Sequence, residues 1–344
     1  MSSILDLSAS DILKIPQTDP EKLYKKDHLK QQFQQLTSKW HPDRNNDPLA
    51  DKTFAHIRLL YDKAQVHISE NNWNGPAAIT FTAIDSTLYQ FKYRKIVDIS
   101  IGKLYIGSRK LMYVIRPEFE DLFKNGVKQL YNIKYENGDI KEQFEPLIPK
   151  LLKSLETDIG FVAVFEKTED VVRLRDVLDY VPDNKLDPKH VAWIMSCMCN
   201  IACFLEYNNI AHGAISVDNV WISPQNHTCL LLDGWWYTKT DGEKISALPA
   251  NLIPVYPTNI FIDKKANMSY DRSLIKAMGL VLLGDSSRTG SMLLTNKEIP
   301  SVVLNWLRST NASSAVQEYN NWITARDTGF GTRKFIKLDI TNIY

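Results

Sequence analysis

The tripeptide His41-Pro42-Asp43 gathers an imidazole, a proline and a carboxylate at one point of the chain. Proline fixes its own backbone dihedral and biases the residue before it away from helical geometry, so such a turn is stiff. Polar groups projected from a stiff turn lose little freedom on binding, and the chemistry they suit is recognition. A second concentration is Cys197, Cys199 and Cys203, with Cys229 following. Their C-x-C-x3-C spacing raises a metal site. No histidine or further cysteine completes a ligand spacing, and the run lies in an apolar stretch of helical length. Thiols buried in a core are the reading favoured over metal. An extracellular disulfide framework is not expected at this cysteine density.

The elements that would position the tripeptide are helical. Asp19-Pro20 and Asp47-Pro48 each join an N-cap candidate to proline at the first helical position. From Pro20 to Trp40, apolar residues recur at Leu29, Phe33, Leu36 and Trp40, on one helical face. From Pro48 to about Ile68 the face is Phe54, Ile57, Leu60, Tyr61 and Ala64, and a shorter helix over residues 9–15 adds Ile12 and Leu13. Residues 41–45 then close an antiparallel helix hairpin. Asn, Gly and Pro content marks a linker at 71–80. Beyond it come β-type runs at 88–93, 96–101, 103–106 and 111–116, helical segments between Glu118 and Lys150, and two more strands at 151–155 and 161–165. A buried helix follows Asp187-Pro188 to about Asn208, and the remainder reads as mainly helical.

The chain has 344 residues, 44% hydrophobic and 24% charged, with 41 basic against 40 acidic side chains. That balance gives no reason to expect a general nucleic-acid or membrane binder. The N-terminus lacks a basic segment and carries Asp6 and Asp11, unlike a secretory signal. The longest nearly apolar run, Val191 to Leu205, is shorter than the ~20 residues a membrane span needs. A cytoplasmic protein is expected.

With its flanking helices, the tripeptide closely resembles a J domain over residues 5–70, about one fifth of the chain. The helix before the turn matches that family's apolar positions up to Trp40. The helix after it matches Phe-x-x-Ile-x-x-x-Tyr at Phe54, Ile57 and Tyr61. The resemblance implies a DnaK-type heat-shock chaperone as partner, engaged through His41, Pro42 and Asp43 with Lys26, Lys30 and Arg44, and stimulated in its ATP hydrolysis. One departure is the exposed face of the second helix, usually basic in J domains. Here Lys25, Lys26 and Lys30 give way to Gln31, Gln32, Gln34 and Gln35, and from Glu21 to Arg44 six basic residues oppose three acidic ones, a net of +3. Steering toward an acidic surface is expected to survive, weaker and salt-sensitive.

Residues 81–344 resemble a protein kinase-like fold, with a strand-rich small lobe over about 81–166 and a helical large lobe over about 167–344. The fold class expected for the whole chain is α+β, a three-helix J domain followed by this bilobal domain. His212-Gly-Ala-Ile-Ser-Val-Asp-Asn219 aligns with the catalytic-loop pattern His-Arg-Asp-x4-Asn, or with the His-Gly-Asp form of aminoglycoside and choline kinase relatives. Asp233-Gly234, fourteen residues past Asn219, stands about where that family's Asp-Phe-Gly sits. Phe161 to Glu166 resembles the strand entering the hinge, with Phe165 as gatekeeper, and Asp271 the aspartate that opens the large lobe's central helix. A J domain joined to such a domain, with a Gly-Trp-Trp-Tyr segment, resembles proteins of large bacteriophages; their compartment would be the host cytoplasm.

The resemblance fails at the chemistry. The catalytic aspartate falls on Ala214, which can neither accept a proton nor orient a nucleophile. No Gly-x-Gly-x-x-Gly loop is present, only Gly102 and Gly107 between the first strands. Arg116 stands where the small lobe's lysine is expected, with Lys134 as the other candidate. Arg116, Glu166, Asn219 and Asp233 are the positions where a nucleotide or metal remnant would lie. Asn219 and Asp233 keep oxygen ligands suited to a cation; the alternative for them is a turn residue and a cap. Neither a resident metal nor ATP with Mg2+ is expected as a cofactor. Trp235, Trp236 and Tyr237 read as core, and His190 and His227 as loop or cap residues. The expected function is that of a co-chaperone whose pseudokinase domain is an interaction or client platform, with neither nucleic acid nor membrane as partner. The rival is an atypical phosphotransferase using Asp218 or Asp233 as base, and a third reading is a decoy that blocks a host chaperone.

Overall fold

The computed structural model describes residues 4–69, 73, 77–332, 336–338, 340 and 343–344. By compactness the chain divides into two units, Met1–Val97 with Tyr105–Ser108 and Ile340–Tyr344, and Asp98–Leu104 with Arg109–Asp339. The sequence places a boundary at 71–80. Of those residues, 71, 72 and 74–76 lie outside the described residues, and 77–80 are strand.

The N-terminal unit is built on α1 (Ala9–Leu13), α2 (Leu29–Lys39) and α3 (Ala50–Ser69). Ser8 and Asp11 form a reciprocal capping box at α1. Ahead of α3, Asp47 Oδ1 accepts the Leu49 N–H at 2.8 Å. Ile12, Leu36, Ile57 and Leu60 are fully buried and share one core with Tyr24 and Trp40. Phe33 and Tyr61 are half-buried at its rim, stacked with ring centroids 3.9 Å apart. The helical face read from spacing is therefore the buried face. The second helix, however, is shorter than its periodicity predicts. The stretch from Pro20 holds two 3-10 turns, Pro20–Lys22 and Lys26–His28, separated by an extended Lys25. Tyr24 explains the break. It is 1% exposed, and its hydroxyl donates to the Ile57 carbonyl at 2.9 Å. A buried phenol needs such a partner, and reaching it turns the chain inward before α2 can begin.

A hairpin follows, β1 (Ala77–Thr82) with β2 (Leu88–Tyr93), running from Ala77 opposite Tyr93 to Thr82 opposite Leu88. The sequence predicts β2 to the residue and misses β1, whose alternation begins directly after the Asn-Gly-Pro signal for a linker.

Next come β3 (Lys95–Ile99), β4 (Gly102–Ile106), β5 (Lys110–Ile115), α4 (Glu120–Tyr131), α5 (Gly138–Phe144), β6 (Leu151–Thr157) and β7 (Gly160–Glu166). The strands lie in the order β3-β4-β5-β7-β6, with both helices inserted between the third and fourth strands in sequence. β5 and β7 are antiparallel, from Lys110 opposite Glu166 to Ile115 opposite Phe161. The rest is mostly helical, with short strands: β8 (Val172–Arg173), α6 (Leu174–Tyr180), α7 (Pro188–Tyr207), β9 (Ile210–Ala211), β10 (Trp221–Ser223), β11 (Thr228–Leu230), β12 (Lys239–Thr240), α8 (Asn259–Asp263), α9 (Ser269–Leu282), α10 (Ser301–Arg308) and α11 (Ala315–Phe330). The larger unit is thus sheet-rich first and helical afterwards, as the sequence order predicts. Asp187 caps α7 by accepting the Lys189 N–H at 2.8 Å, with Pro188 in the first turn. α7 is a scaffold for its neighbours: Trp322 of α11 donates to Ser196 at 2.9 Å. A buried ion pair of 2.9 Å joins Lys276 of α9 to Glu318 of α11. Among the described residues no helix is long and apolar enough to cross a membrane.

Burial ranks two substitutions in α2. Leu36→Ala should cost the N-terminal unit about 2–5 kcal/mol, the range for a fully buried leucine. Phe33→Ala, at the rim, should cost less. Amide hydrogen exchange across α2 and α3 measures both; an equal or larger loss at Phe33 would show that the stack on Tyr61, rather than the Leu36 layer, holds the helices together.

Candidate functional site

Trp40 closes α2, and the turn that follows is pinned by its own backbone. The N–H groups of Arg44 and Asn45 both donate to the His41 carbonyl at 2.9 Å. Asn45 Nδ2 donates to the Lys39 carbonyl at 2.9 Å, closing the helix end. The Asp43 N–H donates to His41 Nδ1 at 3.2 Å, and the Asp43 carboxylate lies 3.7 Å from the same nitrogen. The His41 ring meets the edge of Phe54 on α3 at 5.5 Å. Pro42, Asp43 and Arg44 are exposed and His41 half-buried. Beside the turn lies an open groove of about 820 Å³, lined by Phe33, Phe54 and Tyr61 with Arg44, Arg58 and Asp62. Lys26 and Lys30 are exposed, but Lys30 stands about 15 Å from the turn along α2 at 1.5 Å per residue. Of the expected contact residues, His41, Pro42, Asp43 and Arg44 come together, and the two lysines stand apart. Arg58 joins them; its one sequence signal is its place one helical turn beyond Phe54.

In the larger unit the loop from His212 to Asn219 is held from beneath by Asp271, in the first turn of α9. Its two carboxylate oxygens accept the backbone N–H groups of His212 and Gly213, each at 2.7 Å. Tyr256 donates to the Gly213 carbonyl as well. His212 is fully buried; burial pushes its pKa down to about 3, and its Nδ1 accepts the Ala214 N–H at 3.3 Å. It is a neutral structural group. Asn219 Nδ2 donates to the Ala214 carbonyl at 2.6 Å, tying the two ends of the loop together.

Gly234 lies directly against this loop. Its φ is +86°, and a Cβ there would fall 2.8 Å from Ala214 Cβ, 2.8 Å from His212 Cε1 and 3.1 Å from Asn219 Nδ2. Glycine is required twice over, by the left-handed backbone and by the close approach. Ala214 is itself fully buried. The space a catalytic carboxylate would occupy is filled by the chain that follows Asp233. The Asp233 carboxyl is buried too, with Oδ1 accepting the Gly234 N–H at 2.6 Å. Burial raises its pKa to about 6, opposed by the charge of Arg173 and by the Tyr113 hydroxyl from β5.

Trp236 fills the space between this segment and the sheet. Its ring stacks on Phe123 of α4 at 5.8 Å and meets Tyr113 at 5.4 Å and Phe165 at 6.2 Å. A Cβ on Gly126 of α4 would lie 2.6 Å from it, so a glycine inside a helix marks the contact. Asn125 Nδ2 fixes α4 to the same segment through the Trp236 and Thr238 carbonyls, at 3.1 and 2.8 Å. Trp235 and Trp236 are core, as expected. The β3–β4 connection is only Ser100 and Ile101, too short to cradle phosphates, and Ser100 hydrogen-bonds Tyr237 at 2.9 Å. Gly102 serves the sheet: a Cβ there would fall 2.0 Å from the Val114 carbonyl oxygen.

The four expected remnant positions do not converge. Arg116 is exposed and paired with Glu118 at 3.0 Å, and Glu166 is exposed and paired with Lys150 at 2.7 Å. Lys134 is exposed in the loop after α4. Only Asn219 and Asp233 lie near one another. The alternative base, Asp218, is engaged by Arg175 at 3.0 Å, Arg173 at 3.3 Å and Asn251 at 3.2 Å, so its oxygens hold the loop to α6 and the segment before α8. Of the two lone histidines, His190 differs from its sequence reading: it is buried in the first turn of α7, accepting the Trp193 N–H at 3.3 Å. His227 is a loop residue as read, in the turn between β10 and β11, and stacks on Trp193 at 4.8 Å. Cys199 and Cys229 are buried, Cys197 and Cys203 half-buried. Among the described residues no group of three or more His, Cys, Asp or Glu is placed to hold a metal.

No family model and no curated protein matches the chain. Among solved structures it is similar to the BubR1 kinase domain, at 15% identity and a TM-score of 0.48, covering 69% of this chain and 80% of that one. It is also similar to vaccinia related kinase 3, at 13% identity and a TM-score of 0.46, covering 73% and 90%. Likenesses at this level decide nothing about the chemistry, which rests on the residues above.

Two results should follow. Ala214→Asp would bury a carboxylate against Gly234 and should destabilise the larger unit by about 3–5 kcal/mol; a urea midpoint unchanged from wild type would contradict the packing. Asp233 holds its proton more tightly folded (about 6) than at the ordinary 3.8. Its contribution is therefore full below pH 3.8 and lost as pH rises through about 6. Asp233→Asn should raise the melting temperature at alkaline pH, by the equivalent of about 1–3 kcal/mol, with the difference vanishing near pH 4. A lower melting temperature for the variant at alkaline pH would contradict the burial argument.

Proposed function

We propose that this protein is a J-type co-chaperone. Its N-terminal unit recruits and stimulates a DnaK-type chaperone through His41, Pro42 and Asp43, and its larger unit is a kinase-like pseudokinase frame that serves as an interaction or client platform. The observation that carries the reading is the turn itself. It is braced by its own backbone and by Phe54, with the proline, carboxylate and guanidinium left in solvent. A group so held binds with little ordering cost. Arg44 and Arg58 beside it supply local positive charge where α2 carries glutamines. Salt should accordingly weaken binding.

For the larger unit, the filled position at Ala214 supports a role without phosphotransfer. Phosphoryl transfer depends on positioning and electrostatics. Gly234 packs against Ala214 at the base position, Asn219 Nδ2 donates to the Ala214 carbonyl, and Arg116 and Glu166 pair with Glu118 and Lys150. The phosphotransferase reading needs Asp218 or Asp233 as base; the first is engaged by two guanidinium groups and the second is buried.

The full-length protein should raise the steady-state ATPase rate of a DnaK-type chaperone several-fold. His41→Gln should abolish this with an unchanged circular-dichroism spectrum. Equal stimulation by both proteins would overturn the assignment, and inhibition by the wild type would favour a decoy. Incubation with ATP and Mg2+ should add no phosphate by intact mass. Incorporation lost in Asp233→Ala would favour the phosphotransferase.

A further inference from the structure

Two of the four cysteines face each other across separate elements, away from the loop at Ala214. Cys197 lies in α7 and Cys229 in the middle of β11. The Cys197 thiol donates to the His227 carbonyl at 3.4 Å, two residues before Cys229. The Cys229 thiol points at the Ile194 carbonyl at 3.8 Å, one helical turn before Cys197. Each sulfur thus reaches the backbone beside the other. The remaining cysteines have no such partner geometry. Cys199 is about 200° further round α7, and Cys203 about 9 Å further along it, beside Glu206 and Arg272.

We propose that Cys197 and Cys229 form a reversible disulfide that staples β11 to α7 when hydrogen peroxide is present. The Cys197 sulfur attacks the peroxide O–O bond; an S–O bond forms, O–O breaks, and water leaves. The Cys229 sulfur then displaces the hydroxyl of the sulfenic acid, the S–S bond forms, and a second water leaves. Two thiol hydrogens and two electrons pass to the peroxide, and a dithiol reductant reverses the reaction. The pair is differentiated for these roles. Cys197 is half-buried, and the neighbouring Cys229 thiol lowers its pKa, which favours the attacking thiolate. Cys229 is buried, and burial keeps it protonated until the sulfenic acid forms beside it.

The consequence lies in the chain that follows. β11 leads within three residues to Asp233, and Leu231 is bonded to the Leu147 carbonyl at 2.8 Å. A covalent tie at Cys229 would fix that segment to the scaffold helix. The test treats the full-length folded protein with hydrogen peroxide and maps its peptides without reduction. The expected result is loss of two hydrogens in intact mass, a single cross-linked peptide joining Cys197 to Cys229, recovery with a dithiol, and a raised melting temperature. Cys197→Ser and Cys229→Ser should each abolish the cross-link, and Cys203→Ser should leave it. A sulfinic acid at Cys197 with no cross-link, any other pairing, or no reaction would overturn the proposal; because the wild-type map decides, poor folding of a variant does not.

Discussion

The larger unit's loop depends on one carboxylate. Asp271 accepts two adjacent backbone N–H groups at the head of the 212–219 segment, the first in the interior and the second part-buried. Removing such an acceptor leaves a buried donor unsatisfied at His212, at a cost of about 1–3 kcal/mol. With the loop fixed there, His212 Nδ1 accepts the Ala214 N–H, and Gly234 can descend onto Ala214. The aromatic packing around Trp236, and through it the position of α4, follows from where that descent ends.

The same frame engages the loop's polar groups. Asn219, Asp218 and Asp233 have the residue types that bind cations or move protons. The Asn219 N–H bonds a carbonyl, Asp218 is held by guanidinium groups, and Asp233 lies in the interior. The N-terminal unit shows the opposite arrangement. There the backbone of the turn is satisfied internally, and His41, Asp43 and Arg44 keep their polar edges at the surface. The turn's polar groups are exposed in one unit, and the loop's polar groups bond within the fold in the other.

Spacing made the α2–α3 hairpin legible, because Leu36, Trp40, Ile57 and Leu60 recur at helical intervals on the face that is buried. The break at Lys25 was not legible, because it depends on where the Tyr24 hydroxyl finds a partner thirty-three residues away. Strands from β2 to β7 were visible as runs, whereas β1 was hidden by the turn-forming residues ahead of it. At the loop, Ala214 signalled a missing base from type alone. That its place is filled by Gly234 could not be read, since glycine's close approach has no local pattern. Nor could the outward pairing of Arg116 and Glu166, which rests on Glu118 and Lys150.

The central claim for the larger unit is that this loop is closed to a metal–nucleotide ligand, and the most direct measurement is the full-length protein's melting temperature against Mg-ATP. A site occupied at one hundred times its dissociation constant would add about 2.7 kcal/mol of stability. The account predicts no saturable rise up to millimolar Mg-ATP beyond that given by Mg2+ alone. A saturable rise, lost in Asp233→Ala, would mean that the Asp233 carboxyl can leave its buried position to hold a cation, and would contradict the account.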